Sequence, residues 1–576
     1  MAQSRAGRIA ASALRYVSFK PRLIQSLRHY TRDDFIADLA SGITVAVIAL
    51  PLAMAFGIAS GVRPEQGIAT AIVAGFLISA LGGSRVQIGG PAGAFVALLY
   101  SIAEKYGVPN LLIATMMAGV LLFTLGALRM GTLIRYIPVA IITGFTSGIA
   151  VIIALSQVRD FLGLHVEKMP ANFFSQLGVI AEHVHTANPV AITIGLLSLL
   201  AIVVWPVRTT EARGWRKLAA KLPATIAVLG FSALAVWALD LPVETIGTRF
   251  GQLPRGLPTP AFPAFEWATA QNLFAPTLAI AILCAIESLL CARVADNLID
   301  ERHDPNQELM AQGIANFVSP FFGGIAATGT IARTVTNVKS GARTPVSGII
   351  HAVVLFLIVL LLAPLASFIP LAALAAILLW VAFNMGEWRE FPKMQQFSLA
   401  YRATMLTTFV LTVALDVAVA VQAGLILACL FFIYRMSALT RIDRMPIPAS
   451  LATRPDGRRV EAWRVYGSLF FGSVTKIEAF AEPGVEPPGV LILELHQVIN
   501  IDNTGLEAME HVLSHLRRHN ARLILVAPND QPLNMLRRGG FLDRLGRAHL
   551  FGTLEDALDA LESEAGDEGD ALEVAP

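Results

Sequence analysis

The chain has 576 residues, 55% of them hydrophobic and only 15% charged, and its mean hydropathy is +0.62. The apolar residues fall in runs of roughly 16–22, the length that crosses a bilayer as a helix, which excludes a soluble globular fold and predicts a multi-spanning membrane protein. A formal net charge of +2 offers no electrostatic footprint for nucleic acid.

The first thirty-odd residues are basic and contain no apolar core segment, so no cleavable signal peptide is expected. Apolar runs then predict spans over 39–58, 67–82, 92–103, 111–128, 136–155, 189–207 and 220–239. A second set follows over 275–292, 307–322, 331–338, 346–363, 367–382, 400–415 and 417–434. Two of the fourteen, 92–103 and 331–338, are too short to cross.

Charge placement gives the orientation. With the basic N-terminus inside, the inner connections hold Arg129 and Arg135, then Arg208, Arg213, Arg216 and Lys217, then Lys339 and Arg343, Arg389 and Lys393, and Arg435, Arg441 and Arg444. The outer connection "APLASFIP" is uncharged, and the outer loop "VRDFLGLHVEKMPANFFSQL" mixes signs. This is the positive-inside pattern, and it puts both termini in the cytoplasm of a multi-pass protein of the cell (inner) membrane.

After Arg444 the character changes. The expected organisation is an N-terminal cytoplasmic segment (1–38), a transmembrane domain (39–435), a linker (436–457), a small soluble α/β domain (458–562) and an acidic disordered tail (563–576). Strand-like runs such as "GVLILELHQVI" and "ARLILVAP" alternate there with the helix pattern "GLEAMEHVLSHLRRH". Cys284, Cys291 and Cys429 lie in apolar runs without the spacing of a zinc site or a disulfide framework, and no nucleotide loop or catalytic triad stands out. An enzyme, a resident cofactor and an ATP-driven pump are therefore not expected.

The third segment of each set of seven is short, and each follows a Gly-Gly pair: "LGGSRVQIGGPAGAF" and "FFGGIAATGTIAR". Short, glycine-interrupted segments at matching places point to a midplane site between inverted repeats. An odd number of spans per half makes the halves opposite in orientation, so two half-helix N-termini face each other. Each offers unpaired N–H groups and about half a positive charge, which favours an anion. Arg333 adds a permanent charge and a planar fork for an oxyanion. The alternative is that Arg333 snorkels to an interface, as Lys339 and Arg343 do. Glu287 lies within an apolar span and reads as a proton site; the alternative is a structural carboxylate bonded to a helix end or locked to Arg333. Met54 and Phe56 are weaker pocket candidates, and His351 reads as a hydrogen-bonded structural histidine.

These stretches, with "GITVAVIALPLAMAFGIASGVRPEQGI", "CAIESLLCARVAD" and "NQELMAQGIANFVSPFFGGIAATGTIARTVTNVKSGARTPVSG", resemble the SulP anion transporters, the family of sulfate permeases and solute carrier family 26. The resemblance runs from about Asp33 to Glu562. It implies a membrane all-α fold of fourteen spans as 7+7 inverted repeats with core and gate domains, plus a soluble α/β STAS domain. It further implies an elevator-like movement and a homodimer in the lipid bilayer. The pocket it implies lies at Pro91, Ala92, Gly93, Ala94 and Phe95 and at Ile331, Ala332 and Arg333, with Leu52 and Phe56 of the first span. Many eukaryotic members carry glutamine at Leu52 and serine at Ala332, so chloride specificity is not carried over. Sodium-dependent bicarbonate members have aspartate where Glu287 stands, which favours a coupling proton over sodium. Wording such as "AIESLLCA" is most similar to that of aerobic C4-dicarboxylate carriers of the family, which implies succinate or fumarate as the small anionic substrate. Sulfate or bicarbonate carriage is the runner-up, and an anion channel is the alternative class. In the STAS-like turn "IDNTG", Asn503 stands where regulatory relatives carry a phosphorylated serine and Thr504 remains, so docking to a cytoplasmic protein partner or support of a dimer is the reading there.

Overall fold

A backbone in hydrocarbon has no water to bond, so long apolar runs fold as helices that satisfy themselves. The computed structural model describes residues 19–132, 138–166, 169–170, 172–205, 223–252, 254–263, 267–415, 417–453, 457–482, 484 and 486–573. Within them, every one of the fourteen expected segments is helical. These are α1 (Arg32–Ala59), α2 (Pro64–Leu81), α3 (Val96–Tyr106), α4 (Val108–Ala127), α5 (Val139–Leu162), α6 (Pro189–Val204) and α7 (Ala224–Leu239). The second set is α8 (Phe274–Ile299), α9 (Pro305–Val318), α10 (Ile331–Lys339), α11 (Val346–Ala366), α12 (Leu371–Met385), α13 (Leu399–Ala414) and α14 (Val417–Leu439).

Seven helices among the described residues are long and apolar enough to cross alone, or eight if the bent pair Phe173–Thr186 and Pro189–Val204 is one span. The helix Phe173–His183 lies within what reads as a plain outer loop; Asn172 starts it by accepting from the N–H groups of Phe174 (3.0 Å) and Ser175 (3.3 Å).

By its internal contacts the chain divides into two units, Met1–Leu425 and Ile426–Pro576. In the first, α4 packs on α9, α1 on α11, and α2 on both α9 and α11, while α5 packs on α12 and α13 and α6 on α12. Spans 1–4 thus associate with spans 8–11, and spans 5 and 6 with 12 and 13. Each group draws equivalent members from both halves. Small residues permit the close approaches: a Cβ on Gly313 of α9 would fall 2.5 Å from the backbone nitrogen of Phe123 in α4.

Buried polar groups hold the first group together. Asp38 in α1 is fully buried and accepts from the N–H groups of Arg343 (2.7 Å) and Thr344 (3.0 Å), which precede α11. Glu308 in α9, also fully buried, accepts from Gly83 N–H (3.0 Å), Ser84 N–H (3.2 Å), Gln312 Nε2 (2.9 Å) and Ser288 Oγ (3.4 Å). Outside the spans, Glu301 ties the same 82–86 turn down through Arg22 (2.8 Å) and Arg85. Burial pushes the Glu301 carboxyl up, but these two arginines outweigh it and hold it below the usual carboxylate range.

The second unit carries a five-stranded sheet in the order β3 (Arg441–Met445), β4 (Val460–Leu469), β5 (Val490–Ile501), β6 (Arg522–Val526) and β7 (Leu550–Phe551). Only the β3–β4 pair is antiparallel. Alternation along β5 sends Leu491, Leu493 and Leu495 to one core with α15 (Asn503–Arg518), and Val490 and Ile492 to the other with α17 (Leu554–Glu573). Between them in sequence lies α16 (Asp530–Arg538). α17 extends through most of the tail expected to be disordered. Its Ala, Leu and Glu content favours a helix, and Glu555 and Asp556 sit at its positive end.

Removing the Glu308 carboxylate strands two buried backbone N–H groups. Glu308→Ala is therefore expected to cost roughly 3 kcal/mol or more and to lower the melting temperature of the detergent-solubilised protein, with a wild-type melting curve as the contrary result.

Candidate functional site

Two pairs of residues make the junction between the halves. Gly89–Gly90 (β1) and Thr328–Gly329 (β2) pair antiparallel, Gly89 against Gly329 and Gly90 against Thr328. β1 leads through Pro91, Ala92 and the 3-10 turn Gly93–Phe95 into α3, and β2 leads through Thr330 into α10. Because the strands run opposite ways, the half-helices leave the junction in opposite directions with their N-termini toward it. Neither start carries a side-chain cap. The Thr330 hydroxyl that could cap α10 instead donates to Ile88 O at 2.9 Å, alongside the Thr330 N–H at 2.8 Å. Ile88 N–H in turn donates to Thr334 Oγ1 at 3.0 Å. The pairing is thus locked at the end where β1 begins and β2 ends, with no side-chain cap on either helix start.

Arg333 does not snorkel. It is 2% exposed, and its Nη2 donates back across the junction to Pro91 O at 3.1 Å. Its Nη1 is buried without a hydrogen-bond partner, and among the described residues Arg333 enters no ion pair. Glycine at 90 is what admits it. A Cβ there would lie 2.5 Å from Nη1, and φ is +151°.

The remaining expected pocket residues divide by exposure. Pro91, Gly93, Ala94 and Phe95 are buried, as are Leu52 and Phe56 of α1; Ala92 and Ile331 are half-buried and Ala332 is exposed. Gly93 brings three elements together, since a Cβ on it would meet the Phe56 ring at 3.3 Å and Met385 Sδ at 3.4 Å. Met385, at the end of α12, is a neighbour that nothing in its surrounding sequence singles out. Met54 is fully buried.

Glu287 is 6% exposed on α8, which packs against β2, α10 and the 3-10 turn. Hydrogen bonds on either side of it fix its level. Thr328 Oγ1 of β2 donates to Cys284 O at 3.2 Å, and Gln87 Nε2, just before β1, reaches Ser288 O at 3.3 Å. Among the described residues Glu287 makes no hydrogen bond and no ion pair, so it is neither bonded to a helix end nor locked to Arg333. Glu308, which reading for isolated charges in apolar runs missed because "NQELMAQGIAN" is rich in polar residues, is the saturated carboxylate of the two. His351 also departs from expectation. It is fully buried, yet neither ring nitrogen has a partner. In the second unit, Asn503 is exposed at the start of α15, where Asp502 accepts from Gly505 N–H at 2.8 Å. No group of three or more metal-ligating side chains occurs among the described residues.

Residues 35–410 match the family model of the sulfate permease family, and residues 459–557 match that of the STAS domain. The chain belongs to the sulfate permease family of anion transporters and carries a STAS domain. The YvdB protein of Bacillus subtilis (strain 168) is 41% identical over 91% of this chain and 97% of its own length. "Bicarbonate transporter BicA" of Synechocystis sp. (strain ATCC 27184 / PCC 6803 / Kazusa) is 30% identical over 87% of this chain and 90% of its own. A solved structure described as "The overall structure of SLC26A9" superposes with a TM-score of 0.81, covering 98% of this chain and 96% of that one at 17% identity. The fold is accordingly that of the fourteen-span inverted-repeat transporters, and relatives named as transporters make this a transport protein rather than an enzyme.

If the fork of Arg333 is held in place by its approach to β1, Gly90→Ala should weaken anion binding at least about tenfold while the protein stays monodisperse. Calorimetric titration of the variant checks this, and wild-type affinity would count against it.

Proposed function

We propose that this protein is a secondary active carrier of a dianion, proton-coupled and working by elevator-type alternating access, with C4-dicarboxylates such as succinate or fumarate as its substrate. The observation that carries the reading is the buried, unpaired Arg333 reaching across the junction of two uncapped half-helices. Each helix end contributes about +0.5 and the guanidinium +1, roughly +2 in all. A charge of that size is matched by a dianion better than by bicarbonate or chloride. Leu52, Phe56 and Phe95 add apolar surface, which suits a carbon chain and offers nothing to sulfate.

Glu287 is the coupling residue in this reading. An ionised carboxylate level with the junction opposes anion entry, and protonation removes that opposition, so proton and dianion bind together favourably. Sulfate is the second reading, favoured by the family the chain belongs to, and bicarbonate the third, favoured by the relative named for it. The membrane placement that goes with this is the cell membrane, with both termini cytoplasmic and two copies of the chain as the working assembly. The STAS domain serves dimer support or docking of a cytoplasmic protein. The segments 1–38, 39–435, 436–457, 458–562 and 563–576 remain the proposed functional division of the chain.

Uptake of labelled fumarate, sulfate and bicarbonate into liposomes, with and without an inward proton gradient, tests the substrate. Proton-stimulated fumarate uptake is expected; sulfate or bicarbonate uptake alone would overturn the dicarboxylate assignment. Arg333→Ala is expected to abolish anion binding in a protein that remains folded, and retained affinity would refute the role of Arg333. Glu287→Gln is expected to flatten the pH dependence of uptake, whereas a wild-type profile would place the coupling proton elsewhere.

A further inference from the structure

A second feature of the membrane unit lies away from Arg333 and Glu287, neither of which lines it. A cleft of about 1050 Å³ opens at the end opposite the start of α1, in the orientation proposed above the outer face. Its walls are the α1–α2 turn, α3, the last turns of α5 and the segment 244–250. It extends to Val96 and Ala97, the first two residues of α3, directly after the 3-10 turn of the candidate site.

Three arginines line this cleft, and two of them hold close ion-pair and hydrogen-bond partners. Arg249 Nη1 donates to Asp160 Oδ1 at 2.8 Å, and its Nη2 pairs with Glu244. Arg63 pairs with Glu65 through Nε and donates from Nη2 to Phe250 O at 2.9 Å. Arg159, near the end of α5, is different. Its Nε is buried without a hydrogen-bond partner. Its only ion-pair contact among the described residues is Asp160 Oδ1 at 3.9 Å, the oxygen that already accepts from Arg249. The acidic side chains of the lining are accounted for: Asp160 and Glu244 hold Arg249, and Glu104 has an interaction of its own. A guanidinium whose N–H groups make no hydrogen bond among the described residues, one-fifth exposed to a concave cleft, offers a small oxyanion a planar pair of donors beside the weak 3.9 Å contact to Asp160.

We propose that Arg159 is a staging site for the transported oxyanion, a carboxylate or sulfate held in the cleft before it reaches the half-helix junction. The proposal rests on the anion-carrier reading above for its ligand. For its geometry it rests on the cleft and on a guanidinium that makes no hydrogen bond among the described residues.

The test uses the purified full-length protein in detergent with Cys429→Ser and Ala97→Cys, which places one accessible thiol at the inner end of the cleft. Modification rates by an anionic and by a cationic methanethiosulfonate are compared. Arg159→Gln is expected to lower the anionic-to-cationic rate ratio on the order of tenfold, and Arg159→Lys to keep most of it. An unchanged ratio in a monodisperse Arg159→Gln protein would overturn the proposal, whether or not any tested anion is carried. In liposomes, Arg159→Gln is expected to raise KM for the anion about tenfold with a smaller effect on the saturating rate, an effect a merely structural role for Arg159 would not produce. Arg333→Ala is expected to stop uptake and leave the thiosulfonate ratio unchanged. A wild-type protein that moves no anion would defeat the carrier reading and still leave Arg159 to be judged by that ratio.

Discussion

The antiparallel pairing of Gly89–Gly90 with Thr328–Gly329 is the constraint on which the rest of the membrane unit depends. Four residues cannot make a stable sheet, so the pairing persists only because everything around it is built to hold it. Neighbouring side chains leave no room there for a Cβ. A Cβ on Gly89 would stand 2.3 Å from Ile78 Cδ1, and one on Gly329 would stand 1.6 Å from Gln87 Nε2. Thr330 and Thr334 then lock the strands to Ile88 from the α10 side. What emerges is irregular backbone at membrane depth, tolerated because it is buried in protein and faces a site rather than lipid.

A shell of polar side chains surrounds the junction and satisfies what the short strands leave over. Asn316 reads Ala327 on both sides, accepting from its N–H at 2.8 Å and donating to its carbonyl at 2.9 Å. Asn337 donates to Val86 O and to Ser347 Oγ, both at 2.9 Å, while Ser41 Oγ donates to Asn337 Oδ1 at 2.6 Å. These contacts join α1, α10, α11 and the approach to β1, so the junction belongs to the group of spans 1–4 and 8–11. Spans 5 and 6 pack chiefly with 12 and 13, a division that would serve the alternating-access movement proposed above.

Much of this was legible in the sequence, because hydrocarbon imposes a simple rule: apolar length means a span, and a short glycine-flanked run between spans means a break. The fourteen segments, the two short ones and the depth of Arg333 all follow from that rule. What it could not show were features set by partners distant in sequence. Glu308 looks like one more polar residue of "NQELMAQGIAN" until the fold brings Gly83 and Ser84 to it. Met385 becomes a neighbour of Gly93 only through the packing of α12. The helix Phe173–His183 hides in a mixed-charge loop because its length is too small for a periodic signal. Arg159 is one charge of an outer loop that mixes signs, and only the capture of Asp160 by Arg249 leaves its Nε without a hydrogen-bond partner.

The contrast between two buried carboxylates carries the mechanism furthest. Glu308 accepts from four donors and so is held in place, a structural carboxylate whose removal would leave buried N–H groups unpaired. Glu287 is one turn or less from residues pinned to both strands, yet it has no donor of its own among the described residues. A carboxylate buried without donors has nothing nearby to offset the cost of its charge, and in the proposed carrier it would share the positive junction with the substrate anion. In the carrier proposed above, the ionised carboxylate and a carried anion would compete for the same electrostatic stabilisation: an empty junction would favour ionised Glu287, and an occupied one its protonated form. Coupling in this arrangement needs no direct contact between Glu287 and Arg333. In the proposed carrier it would follow from one site whose charge is closed either by its own carboxylate or by a carried anion together with a proton.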